Sequence, residues 1–598
     1  MDENNRNFIL AIVLSMAVLF LWQYFFVPVH QPPAKPEGEQ SQQVEPGPPQ
    51  PGGGVPAGEV PQPSTQGVTL SREEALAQSP RIAIDTPSLK GSIALKGGRI
   101  DDLTLKDYRE TVEPTSPNVV LLSPAGGPHA YYAEHGFVGA PGGEDLALPS
   151  AESLWIANTQ GPLTPSSPAT LSYDNGKGLK FTRKIALDDK YMFTITDTVA
   201  NTGSQPVTLY PYALVSRHET PPVQGFYILH EGLIGVIDES GLEEIGYSTA
   251  LENPPATFKS QSGWLGITDK YWATVVIPEQ GKEFTATFYG KQANGRDRFQ
   301  TDYLLAPLTI PASGTGEAKG QVFAGAKEVN TVDTYAERYG IPKFDLLIDW
   351  GWFYFLTKPL FFALDYFYKL VGNFGVSILI VTVLIKLVLF PLANKSYVAM
   401  SRMKKLAPEM QRIKERYADD RMRQQQAMMD LYKKEKVNPA AGCLPILVQI
   451  PIFFALYKVL FVTIEMRHAP FFGWIKDLSA PDPTSIFNLF GMIPWEPPHL
   501  LMIGIWPIIM GITMWVQMKL NPAPPDPVQQ KIFTWMPVFF TFLLASFPAG
   551  LVIYWAWNNF LSIIQQAVIM ARQGVEIPLL ENLGFKNNKK SAKGETKG

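Results

Sequence analysis

Phe374-Gly-Val-Ser-Ile-Leu-Ile-Val-Thr-Val-Leu-Ile-Lys386-Leu-Val-Leu-Phe-Pro-Leu392 decides the architecture. It is about as long as a helix that crosses the hydrocarbon core of a bilayer, and its single charge is Lys386. Four more apolar runs follow at residues 444–462, 500–518, 532–547 and 551–570, and another precedes them at residues 8–27. That first run carries no charge and ends in Phe26, Val27 and Pro28 instead of a small-residue cleavage site, so it reads as an uncleaved anchor and not as a signal peptide. The expected fold class is a polytopic α-helical membrane protein with six spans, five of them forming a core. Phe547-Pro-Ala-Gly550 leaves room only for a tight hairpin between the last two.

Charge sets the direction of the spans. The chain has 51 Lys and Arg against 55 Asp and Glu, but the basic residues cluster. Twelve lie between the second and third spans (residues 395–436), whereas Arg467 and Lys476 alone lie between the third and fourth. Basic loops stay cytoplasmic, so residues 28–373 are expected outside the cytoplasm and both termini inside.

At 598 residues the chain is too long for a single core. Residues 1–28 read as the anchor. Residues 29–79 form a Pro/Gly-rich linker, whose stretch 31–63 has too little apolar surface to offset the entropy of ordering. From 80 to 340, period-two runs such as Lys190-Tyr-Met-Phe-Thr-Ile-Thr-Asp-Thr-Val, punctuated by turns such as Asn201-Thr-Gly-Ser, predict a large extracytoplasmic antiparallel β-sandwich. Residues 341–371 predict an interfacial amphipathic helix broken near Pro359, residues 372–571 the five-helix core with a cytoplasmic helical hairpin at 395–437, and 572–598 a basic tail. Cys443 is the single cysteine, so no internal disulfide can form. His129, His135, His218 and His230 stand in no metal-ligand spacing, and no phosphate loop or nucleophile elbow is present, so neither catalysis nor a metal or other cofactor is expected.

Lys386 is the residue that asks for a function. A lysine this deep in a span costs roughly 2.5 to 3.5 kcal/mol on insertion scales, so it faces a wet cavity or a partner, or else snorkels to the headgroups. Thr382 shares its helical face, Gln449 lies at similar depth in the third span, and Asn559, Ser562 and Gln566 form a polar stripe in the sixth. Interhelical hydrogen bonds account for each alone; with a lysine they outline a hydrophilic groove. The five C-terminal spans hold no acidic residue, which argues against an ion-coupled pump, and a lone cation repels the ion of a cation channel. The groove suits a polypeptide whose flanking segment is acidic: at about 4 Å and an effective dielectric near 20, an opposite-charge pair gains roughly 4 kcal/mol. In the hairpin, Met403, Met410, Met422, Met428 and Met429 recur at helical spacing, a surface that either adapts to apolar clients or packs one arm on the other.

Several stretches resemble the YidC membrane protein insertase family of the YidC, Oxa and Alb superfamily, in its Gram-negative form: Lys436-Val-Asn-Pro-Ala-Ala-Gly-Cys-Leu-Pro-Ile-Leu-Val-Gln-Ile-Pro-Ile-Phe-Phe-Ala-Leu-Tyr457, Arg467-His-Ala-Pro-Phe, Trp474-Ile-Lys-Asp-Leu-Ser-Ala, Asp526-Pro-Val-Gln-Gln-Lys and Phe547-Pro-Ala-Gly-Leu-Val-Ile-Tyr554. The resemblance implies five helices around a groove open to the cytoplasm and to lipid but closed toward the periplasm, and a sandwich similar to sugar-mutarotase-like domains. It also implies an ATP-independent insertase and chaperone of the cell inner membrane that handles nascent membrane proteins alone or with the Sec translocon, and that contacts the ribosome. By position Lys386 matches the family's groove cation, which is arginine in its best-known members; lysine keeps the charge but loses the planar fork. Trp555 stands beside Tyr554 where a second tyrosine often follows. The basic tail at 586–597 suits ribosomal RNA phosphates and the positive-inside bias equally. A solute or anion transporter, and a sugar-modifying enzyme on a membrane anchor, are the competing readings.

Overall fold

The computed structural model describes residues 60–61, 70–140, 146–222, 229–238, 240–435, 444–493, 495, 497–498, 502–521 and 527–573. The expected anchor, the linker apart from residues 60–61 and 70–79, Cys443 and the tail beyond residue 573 lie outside the described residues.

After a short capped helix, α1 (Arg72–Ala77), the chain builds two packed antiparallel sheets. The ten-stranded sheet runs Arg81–Asp85, Leu89–Ala94, Ile100–Arg109, Tyr131–Gly139, Val207–His218, Arg296–Leu305, Phe284–Ala293 and Ala256–Ser260, with Asn118–Leu122 and Leu308–Ile310 paired at its flanks. The nine-stranded sheet runs Gly241–Gly246, Gly232–Ile237, Gly263–Thr268, Trp272–Pro278, Thr315–Ala326, Met192–Asn201, Leu179–Leu187, Ala169–Asp174 and Ile156–Ala157. A one-turn helix, α2 (Tyr247–Glu252), packs over the strand Phe284–Ala293. Alternation is what the sequence supplies: in Leu179–Leu187 the side chains of Leu179, Phe181, Ile185 and Leu187 are buried between the sheets while Lys180, Thr182 and Lys184 face out. Arg183 also points inward. It is tolerated there because Asp197, directly opposite on the next strand, accepts from its Nε (2.7 Å) and Nη2 (2.8 Å), the carbonyl of His135 takes a further bond (2.9 Å), and the Trp155 ring lies 4.9 Å away.

The sandwich ends in α3 (Val329–Tyr339), stopped by Gly340 in the left-handed conformation. A 3₁₀ turn (Phe344–Leu347) leads to α4 (Tyr354–Val371). The helix expected to break near Pro359 runs straight through it: that proline sits in the second turn and forfeits one hydrogen bond without ending the helix. Phe361 and Leu364 are buried, whereas Phe355, Phe362, Tyr366 and Leu370 are exposed, and Lys358 ties the helix back to Asp333 and Asp345 (2.9 Å each).

The remaining helices are α5 (Phe374–Val388), α6 (Phe390–Arg416), α7 (Arg421–Lys434), α8 (Leu444–Val462), α9 (Ile505–Leu520), α10 (Pro527–Leu544) and α11 (Ala549–Arg572). Helix α11 packs against α5, α8 and α9, and donates from Trp557 Nε1 to the Leu379 carbonyl of α5 (3.2 Å). The expected second span, 374–392, is not one straight helix. Pro391 cannot donate to the Leu387 carbonyl, so the ladder stops after Val388 and restarts with Pro391 in the first turn of α6, at a bend of 66°. The hairpin's first arm therefore begins five residues before the expected 395. Among the described residues no single helix is long and apolar enough to cross a membrane, although the bent α5–α6 pair passes that test together. At 15 and 16 residues, α5 and α9 reach only about 22 to 24 Å. The longest of the helices after α6, α11, is made less apolar by its own amides at Asn558, Asn559, Gln565 and Gln566.

Candidate functional site: a lysine among amides and hydroxyls

Three helices meet at Lys386. From the last turn of α5 its Nζ donates to Ser562 Oγ on α11 (2.8 Å) and lies 3.5 Å from Gln449 Oε1 on α8. The amide of Gln449 in turn donates to Tyr554 Oη (2.8 Å) and Asn558 Oδ1 (3.3 Å), and Ser562 Oγ donates to the Asn558 carbonyl (2.8 Å). Among the described residues no carboxylate pairs with Lys386. The cation is half-buried and held by neutral acceptors alone, which orients it without cancelling its charge.

The residues singled out from the sequence divide. Lys386, Gln449, Tyr554 and Ser562 come together. Thr382 shares the helix of Lys386, but its hydroxyl donates to the Ile378 carbonyl of its own helix (2.6 Å). Asn559 and Gln566 turn to α9 and its C-terminus, donating to Thr513 Oγ1 (3.5 Å) and Asn521 Oδ1 (3.0 Å). Trp555 packs on Phe453 (4.8 Å) and Phe540 (5.6 Å). Sequence reading passed over Asn558, which completes a line of polar residues at i, i+4 and i+8 from Tyr554 to Ser562. It also passed over Lys458, near the far end of α8, whose ammonium pairs with Asp349 (2.8 Å).

Toward the sandwich the polar cluster gives way to rings. Phe453, Tyr457 and Phe461 follow Gln449 at four-residue spacing on α8, with Tyr457 tilted against Phe461 and Phe547 (5.8 Å each) and Phe453 stacked near Tyr554 (6.5 Å). The lysine thus lies on the other side of an aromatic layer from the sandwich. In the hairpin, Tyr432 of α7 approaches Met410 Sδ of α6 (3.9 Å). Met403, Met410 and Met428 are half-buried, whereas Met422 (79 %) and Met429 (47 %) stay exposed.

Two family models match the chain: the YidC periplasmic domain over residues 81–363, and the 60Kd inner membrane protein over residues 366–575. Together with the sandwich and the helical bundle they define the class, an inner-membrane protein that carries a large periplasmic domain. A membrane protein insertase YidC of Bradyrhizobium diazoefficiens is 54% identical, with 98% of each chain covered, and one of Brucella suis is 54% identical over 97% of this chain and 98% of its own. The chain belongs to the YidC membrane protein insertase family. An active YidC insertase crystal structure with its first transmembrane domain resolved aligns with 82% of this chain and 92% of its own at a TM-score of 0.33 and 19% identity.

Proposed function

We propose that this chain inserts membrane proteins into the inner membrane, without a cofactor, by receiving the client's polar flank at Lys386. The observation that carries this reading is the unpaired ammonium: it has hydrogen-bond acceptors in Ser562 and Gln449 but no anion among the described residues, so an incoming acidic segment supplies the missing charge. The amides and hydroxyls around it satisfy backbone groups of a passing segment that lipid cannot. The aromatic layer between Gln449 and the sandwich supports a groove closed on the periplasmic side, from which an apolar client helix leaves sideways into lipid. Six spans, with the sandwich in the periplasm and both termini in the cytoplasm, fit the charge asymmetry of the loops. On this reading the exposed Met422 and Met429 receive apolar client segments on the cytoplasmic side, where the ribosome and the Sec translocon are the expected partners.

The test is insertion of a single-span client with an acidic translocated tail into liposomes holding the purified chain. Lys386→Arg retains insertion, whereas Lys386→Glu lowers it by tenfold or more, since repulsion replaces an attraction of order 4 kcal/mol, of which about 1.4 kcal/mol corresponds to each factor of ten. Equal insertion by wild type and Lys386→Glu removes the lysine from the mechanism.

A further inference from the structure

The joint between the sandwich and the helical core holds an ionisable group that the groove does not use. Helix α3 starts directly after the last strand, and its N-cap residue, Glu328, makes no capping bond with its side chain. That carboxylate is taken up by Thr331 Oγ1 (2.7 Å), Tyr108 Oη (2.9 Å), Tyr191 Oη (3.0 Å) and Lys190 Nζ (3.1 Å). The free amide at the start of α3, on Val329, donates instead to Oε1 of Glu465 (2.9 Å), 136 residues away in the turn Ile464–Met466 that follows α8. A side chain of the helical core therefore caps the exit helix of the sandwich.

The joint is dry. Val329, Ile464 and Met466 are buried, and so is Oε2 of Glu465, which has no hydrogen-bond partner among the described residues. Among the described residues no cation forms an ion pair with Glu465. Glu328 faces it from the start of α3 and Asp365 from α4, and each of these carboxylates holds its own ammonium: Glu328 that of Lys190 and Asp365 that of Lys369 (2.6 Å). Tyr108 faces it from the ten-stranded sheet. Arg467, two residues on, spends its guanidinium on the carbonyls of Arg109 (2.7 Å) and Glu110 (3.1 Å). Burial, reinforced by Glu328 and Asp365, pushes the Glu465 carboxyl up to about 7.

We propose that Glu465 is a proton-dependent latch: protonated, it caps α3 and fastens the periplasmic sandwich to the insertase core; ionised, it loosens that joint. The protonated carboxyl keeps an oxygen to accept from Val329, while shedding the charge that burial, Glu328 and Asp365 disfavour. A carboxyl whose closed-state pKa is raised binds more protons closed than open, so the closure it contributes is full at low pH and is lost as pH rises through its closed-state value. With about 7 closed and about 4.5 open, the closing equilibrium falls by about tenfold between pH 6 and pH 8.

The test is amide hydrogen exchange in the first turn of α3, on the full-length chain in lipid nanodiscs, at pH 6 and pH 8 after correction for the intrinsic rate. Wild type loses about tenfold in protection between the two. Glu465→Gln, which keeps an acceptor but cannot ionise, shows protection that does not change with pH, and Glu465→Ala is weakly protected at both. A wild-type profile without the step, a Glu465→Gln profile that reproduces it, or full protection in Glu465→Ala at pH 6 would each overturn the latch. The amides of α5 serve as the internal reference, which separates opening of the joint from unfolding of the core.

Discussion

Arg183 is a buried cation and Lys386 a half-buried one, and their surroundings assign them opposite tasks. Arg183 is neutralised by a two-pronged contact with Asp197 and is part of the sandwich's architecture. Lys386 has only neutral partners among the described residues and keeps its charge available. Removing one member of a buried pair strands the other, so Arg183→Met is expected to cost about 3 to 5 kcal/mol, whereas adding Asp197→Leu recovers most of that loss. Denaturant unfolding of the full-length chain in detergent, followed through the sandwich's tryptophan fluorescence, checks both. Were the single and double variants equally destabilised, the fault would lie in packing and not in a stranded charge. At the same scale, Asn558 shows what one helix cannot reveal by itself. Neighbouring residues on a helix differ by about 100° in direction, so 558 and 559 face different partners, and only the positions of α8 and α9 decide which of them meets Gln449 and which meets Thr513.

At the scale of elements, helix contacts rest on small residues. Gly511 of α9 lies against Thr541 of α10, whose hydroxyl is held by the Pro537 carbonyl (2.8 Å), and a Cβ at Gly511 would overlap that hydroxyl. Gly511→Leu is therefore expected to force α9 and α10 apart and to lower the thermal unfolding temperature in detergent by several degrees, about the shift that corresponds to 1 to 3 kcal/mol of overpacking. Gly511→Ala should lie between it and wild type, and an unchanged melting curve for the leucine variant would show that the pair is not packed as described. The strands were legible because period-two burial writes itself into the sequence, as in Leu179–Leu187. Helix ends in the core were less so. An apolar run reads the same whether its ladder is continuous or broken, and the restart at Phe390 depends on where Pro391 falls relative to the Leu387 carbonyl.

Across the whole molecule, the sandwich and the helical core share a charged seam: Lys458 on Asp349, Arg467 on the carbonyls of residues 109 and 110, and Glu465 on Val329. Lys327 stands at the sandwich end of this seam, fully buried, with its Nζ on Thr268 Oγ1 (2.9 Å). Burial pushes its ammonium down to about 8 despite Asp269, Asp349 and Glu231 nearby. Between about pH 8 and 10 the folded chain thus binds fewer protons at this site than the unfolded one, so its contribution to stability rises with pH in that window. Relative to Lys327→Met, wild type should gain about 1.5 kcal/mol from pH 8 to pH 9.5, read from chemical unfolding at each pH. A gap that stays constant, or moves the other way, contradicts a depressed lysine at this position.

The sequence by itself determined the alternation that makes a sandwich, the apolar runs and loop charges that point to a membrane part, and the presence of a lysine where lipid does not welcome one. Each of these is a local pattern, governed by periodicity and by the cost of burying charge, and a linear reading detects it. The tertiary structure decided that Lys386 meets Ser562 and Gln449 while Asn559 and Gln566 turn to α9, that the second apolar run bends at its proline, and that Glu465 caps a helix which begins 136 residues before it. All but the bend are pairings between distant segments. Which donor meets which acceptor depends on how helices and sheets are set against one another, and no periodicity within a segment encodes that.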